Sequence, residues 1–87
     1  MYFSTTSTIA GHEITEHLGI VFGEFQIANF EHPRLFKRDC NEAILEMQKS
    51  AEKLSADAIV GIRTHYELSN DEETLWVFVS GTAVKLK

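Results

Sequence analysis

The residues of this 87-residue chain best equipped for chemistry are four histidines, one cysteine and a scatter of carboxylates. The densest group is His12-Glu13-Ile14-Thr15-Glu16-His17, with His32, His65 and Cys40 further along. These are metal-ligating residue types. A soft-metal site asks for several thiolates, and a zinc site asks for four closely spaced nitrogen or sulfur donors. Neither demand is met within one copy of the chain. On a strand, His12 and Glu16 share a face roughly 13 Å apart at the usual rise, while His17 points the other way. A metal site therefore needs symmetric copies that bring identical histidines together around an axis.

Cys40 sits where a helix would begin, and a helix dipole there favours a thiolate. Lys37 and Arg38 push the same way, and Asp39 and Glu42 oppose them. Its place on an apolar stripe reads instead as a small buried hydrophobe. Glu16 and Glu24 are carboxylates on one strand, but several residues separate them. There is no nucleophile elbow, no phosphate-cradling glycine loop and no Ser/His/Asp or Cys/His motif. No residue is assigned as catalytic, cofactor-binding or metal-ligating, no cofactor is expected, and the protein is not expected to be an enzyme. Trp76, Phe78 and Tyr66 lie on neighbouring strands and read as core aromatics beneath the helix. The alternative for them is a pocket between subunits that takes a small organic ligand.

The setting of these residues follows from composition. A chain of 87 residues is one domain, 1–87, and buries only roughly 64% of its unfolded surface, so its stability is modest. With Cys40 as the only cysteine there is no disulfide within the chain, and a reducing, cytoplasmic location is expected. MYFSTTST lacks the features of a signal peptide, and no apolar run approaches the ~20 residues of a membrane span. The net charge is −5 with no basic stripe, which argues against nucleic acid as a partner.

Three glycine-punctuated apolar blocks, Leu18–Glu24, Ala56–Gly61 and Val79–Val84, read as central sheet strands in close contact. A short strand is expected at Tyr2–Thr8, followed by a turn at Ile9-Ala10-Gly11-His12 in which Gly11 is free to take positive φ. From Ile14 the alternation places Ile14, Glu16, Leu18, Ile20 and Phe22 on one face, with Thr15, His17, Gly19, Val21 and Gly23 on the other. Asn29–Arg38 reads as a connection containing Pro33, with Phe30 and Phe36 tucked against the body. A helix follows, capped by Asp39 or Asn41, whose stripe is Cys40, Ala43/Ile44, Met47, Ala51 and Leu54. Ala58–Leu68 and Thr74–Leu86 form a hairpin around the solvated turn 69–73. Both faces of that hairpin are apolar, and one helix covers only one of them. The other face is expected to be buried by a second copy of the chain.

Several segments resemble one family. They are Thr5-Thr6, Thr8-Ile9-x-Gly11, Leu18-Gly19-Ile20-Val21-x-Gly23-Glu24, Ala56-Asp57-Ala58-Ile59-Val60-Gly61, Tyr66-Glu67 and Val79-Ser80-Gly81-Thr82-Ala83-Val84. In this order they resemble the YbjQ-like family, small bacterial and archaeal proteins called "putative heavy-metal-binding" whose function is unassigned. The resemblance implies an α+β, two-layer ββαββ domain with one helix on a mainly antiparallel sheet of dodecin-like topology. The final strand would lie between the strands before and after the helix. It also implies a ring-forming homo-oligomer, a pentamer. Family members carry a longer segment where this chain has Gln26–Lys37, which leaves the ring size open. The function expected is binding, with the chain itself as partner and neither nucleic acid nor membrane. The alternatives are a heavy metal held between subunits by His12, His17 or His65, and an organic ligand near Trp76.

Overall fold

The computed structural model describes residues 1–27, 33–68 and 74–87, together with their side chains except those of 27 and 33–40. The element order is β1 (Tyr2–Phe3), β2 (Ile14–Ile27), α1 (Pro33–Lys53), β3 (Ala58–Leu68) and β4 (Leu75–Leu86). This is the expected α+β, ββαββ order. The strands form one mixed sheet in the order β1-β3-β4-β2, with β1 parallel to β3 and the other pairs antiparallel.

The helix begins earlier than its apolar stripe indicates. Pro33, expected in a connection, opens α1, and Asp39 and Asn41 lie inside it rather than at its cap. Proline suits a first helical turn because its missing N–H would have no partner there and its φ is already set. The stripe is Ala43, Met47 and Ala51, all fully buried, while Leu54 lies just past the helix and is exposed. The expected packing of Phe30, Phe36 and Cys40 falls outside the described side chains.

The helix ends in a Schellman motif. Ala56 N–H donates to Ala51 O at 3.2 Å and Ser55 N–H to Glu52 O at 3.0 Å, with Ser55 at φ 59°. A side chain in this left-handed conformation is strained, and glycine is not. Ser55→Gly is expected to stabilise the fold by about 0.5–1 kcal/mol after glycine's larger unfolded-state entropy is offset. A denaturation midpoint a few degrees higher checks this, and a lowered midpoint refutes it.

α1 packs on β2 and β4 and scarcely reaches β3. Its three small or flexible buried residues meet Val21, Ile59, Val77, Val79 and Ala83 from the sheet. The closest approach is at Gly23, where an added Cβ would collide with the backbone of Ala43 and lie 2.9 Å from Met47 N. The block Leu18–Glu24, expected at the centre of the sheet, is in the edge strand β2. Its glycine at position 23 makes room for the helix rather than for another strand.

The opposite face is closed at one end by the chain itself. The turn expected at Ile9–His12 forms, with Gly11 at φ 77° and His12 N–H donating to Ile9 O at 3.1 Å. It lays Ile9 over Ala58, Val60 and Val84, with Ile14 and Leu86 beside them. The short β1 and the residues after it are tied to β3 by Ser4 N–H to Ile59 O at 2.9 Å and Gly61 N–H to Thr6 O at 2.8 Å. β1 itself spans only Tyr2–Phe3, shorter than the expected Tyr2–Thr8.

Candidate ligand site

The remaining end of that face is open, and the strand register sets what it displays. Across the three long strands, β2–β4–β3, the residues align as Phe22–Ser80–Arg63, then Glu24–Phe78–His65, then Gln26–Trp76–Glu67. Side chains on one face of a sheet stand side by side in such rows. Phe22 is 64% exposed and its neighbour along β2, Ile20, is 67% exposed. Trp76 and Phe78 are half-buried and stack along β4, with ring centroids 6.3 Å apart and an interplanar angle of 12°. The His65 ring stands 6.2 Å from Phe78.

A cleft of about 580 Å³ reaches this region, lined by Phe22, Glu24, Arg63, His65, Phe78 and Ser80 from this face together with Gly23, Val79 and Glu46 of α1. Its shape follows from side-chain size. Ser80, on the central strand, is short, whereas Phe22 and Arg63 on the flanking strands are long. The result is a trough with a hydroxyl floor, an aromatic wall and a cationic wall, closed at one end by Phe78. Arg63 is exposed and engages in no hydrogen bond or ion pair with the described residues. Ser80 makes no hydrogen bond to His65.

The expected metal donors are dispersed. His12 lies beside Tyr2 at the N-terminal turn, with ring centroids 4.7 Å apart and the planes tilted by 42°. His17 is opposite Val84, and His65 is opposite Phe78. Those two register positions are six residues apart along β4, roughly 20 Å at the usual rise. His32 lies outside the described residues. Among the described residues no three of His, Cys, Asp and Glu are grouped so as to hold a metal ion. Among the described residues, one copy of the chain therefore offers no fit for a heavy metal. Glu16 faces Lys85 and Glu24 faces Phe78, so these carboxylates stand roughly 25 Å apart along β2 and form no pair.

Two sequence expectations change here. The even-numbered face of β2 is not continuous, because register shifts between Ile14 and Glu16 and between His17 and Gly19 invert the alternation. Leu18 consequently packs with the helix-side core, while Ile20 and Phe22 remain on the open face. A bulge moves every later side chain to the other side. The aromatics expected under the helix also separate. Trp76 and Phe78 lie on the face away from α1, and Tyr66 pairs with helix-side Val77 yet stays 48% exposed because α1 does not extend over it. Arg63 was not singled out from the sequence, and Ser80 was placed with Trp76 and Phe78 only as part of one face of the last strand. The signal was available in the period of two that links Arg63 to His65 and Ser80 to Phe78.

A family model described as "Putative heavy-metal-binding" and named for the YbjQ group matches residues 27–87. A UPF0145 protein of Actinobacillus pleuropneumoniae is 31% identical over 106 residues, covering all of both chains. That alignment is longer than this chain, so the relative carries residues without a counterpart here. A UPF0145 protein of Bifidobacterium longum subsp. infantis is 36% identical, covering 95% of this chain and 93% of its own. A crystal structure of a protein of unknown function from Pediococcus pentosaceus, assigned to the DUF74 family, superimposes with a TM-score of 0.80. It is 21% identical and covers 100% of this chain and 98% of that one, which is a likeness of fold.

Proposed function

Because this chain belongs to the YbjQ-like family, we propose that it works in the cytoplasm as a homo-oligomer, a pentameric ring, that binds a ligand without transforming it. The observation that carries this is the half-open sheet face, with Ile20 and Phe22 about two-thirds exposed side by side on an edge strand. Contiguous apolar surface of this kind marks an interaction site. The chain exposes 5956 Å², against roughly 5,200 Å² for a compact monomer of the same mass.

The heavy metal of the family description is the weaker fit, since among the described residues His12, His17 and His65 stand apart and a site built from them would draw on several copies. Native mass spectrometry of untagged protein purified without chelator tests both points. The expected result is a fivefold multiple of the 9.9 kDa chain, and a charge on the apolar edge in Ile20→Asp/Phe22→Asp is expected to release monomers. A wild-type monomer would overturn the assembly. Extra stoichiometric metal mass that is released by His12→Ala, His17→Ala or His65→Ala would move the ligand assignment to the metal.

A further inference from the structure

The trough combines a flat apolar wall, a small polar floor and one unengaged cation, and that combination selects a ligand chemistry. Phe22 and Phe78 present aromatic surface, and Phe78 is held in place by the stack with Trp76. Arg63 stands across Ser80 from Phe22, so the two walls are two strand spacings apart, roughly 10 Å between backbones. A planar ring fits edgewise between them, and an aliphatic chain of equal length would leave the ring faces less covered. An exposed guanidinium with no carboxylate partner among the described residues is a fork that donates to a carboxylate in bidentate fashion. Glu24, flanking Phe78 on β2, and Glu46 of α1 line the same cleft, and their charges confine an acid group to the Arg63 side. His65, two residues along β3 from Arg63, offers a second nitrogen donor there.

We infer that the trough between β2 and β3 binds small planar aromatic carboxylates, with the ring against Phe22 and Phe78 and the acid group on Arg63. This inference deepens the binding role proposed above; Phe22 also belongs to the apolar edge assigned there to contact between copies, so assembly is read on the same samples as binding. Naphthoate and its uncharged analogue naphthylmethanol are suitable probes, titrated calorimetrically into the full-length wild-type protein. Naphthoate is expected to bind at least about tenfold more tightly than naphthylmethanol, the scale of one charge-assisted hydrogen bond.

In Arg63→Gln that preference is expected to vanish, with naphthylmethanol affinity unchanged. Arg63→Lys is expected to retain part of it, because the charge remains and the fork is lost. Phe22→Ala is expected to weaken both probes together. Arg63 is exposed and makes no contact that the fold depends on, so unchanged circular dichroism is expected in its variants. Equal affinity for the two probes in wild type, a preference that survives Arg63→Gln, or no binding at millimolar probe would each overturn the inference. Native mass spectra of the same samples separate the two readings. An oligomer that ignores naphthoate sinks only the ligand, and a monomer that binds it sinks only the assembly.

Discussion

Gly23→Ala is expected to destabilise the protein by about 3 kcal/mol or more, the largest effect among the glycine-to-alanine changes in this fold. The new Cβ would overlap the carbonyl of Ala43 and come within 2.9 Å of Met47 N, both backbone atoms of α1. Neither atom can yield by a rotamer change, so the helix as a whole must lift off β2. Lifting it also uncovers Val21, Val77 and Val79, which α1 otherwise buries. Gly81→Ala supplies the contrast. There an added Cβ meets the side-chain ends of Ile59 and Ile62 and, at 3.2 Å, Val60 O, so much of the crowding can be relieved by side-chain movement. Thermal denaturation at matched protein concentration should show Gly23→Ala lowered by roughly 12 °C or more and Gly81→Ala by clearly less. Equal losses would mean that the helix is not seated on Gly23.

Met47→Ala is expected to cost about 3 kcal/mol, within the ~2–5 kcal/mol span for emptying a buried site. Met47 is fully buried and is among the largest side chains so enclosed. Its neighbours on the helix face are Ala43 and Ala51, which are too small to fill the space it would leave. Met47→Leu, which keeps the volume, should cost less than ~1.5 kcal/mol. Urea titration separates the two, and an alanine variant as stable as the leucine one would show that the core collapses around the gap. For a chain of 87 residues a loss of 3 kcal/mol is a large share of the whole folding free energy.

The elements were largely legible in the residues because each depends on local periodicity. The Ala43/Met47/Ala51 stripe, the turn at Gly11 and the alternation from Thr74 to Leu86 are all properties of neighbouring residues. The helix start was missed because Pro33 marks a loop as readily as a first helical turn, and only the chain's path selects between them. The faces of β2 were misassigned for a related reason. Its two register shifts are events between strands, and no window along β2 contains the partner strand that defines them.

The candidate site was the least legible part. The histidine-rich segment at 12–17 drew notice by residue type, yet the structure leaves its members apart. Arg63 and Ser80 are ordinary in the sequence and become a site only when β4 lies between β2 and β3.

The sequence by itself determined the class of this protein: an acidic α+β chain with one amphipathic helix, long apolar strands, no disulfide within the chain and the segment pattern of its family. Those features rest on residue type and on periods of two and 3.6, which need no knowledge of what lies across the fold. Only the tertiary structure decided which strand is at the edge, which face α1 leaves open and which residues meet in the trough. Those are pairings between residues as much as 72 positions apart, Ile14 with Leu86, and a register shift of one residue would have put a different set of side chains on the open face.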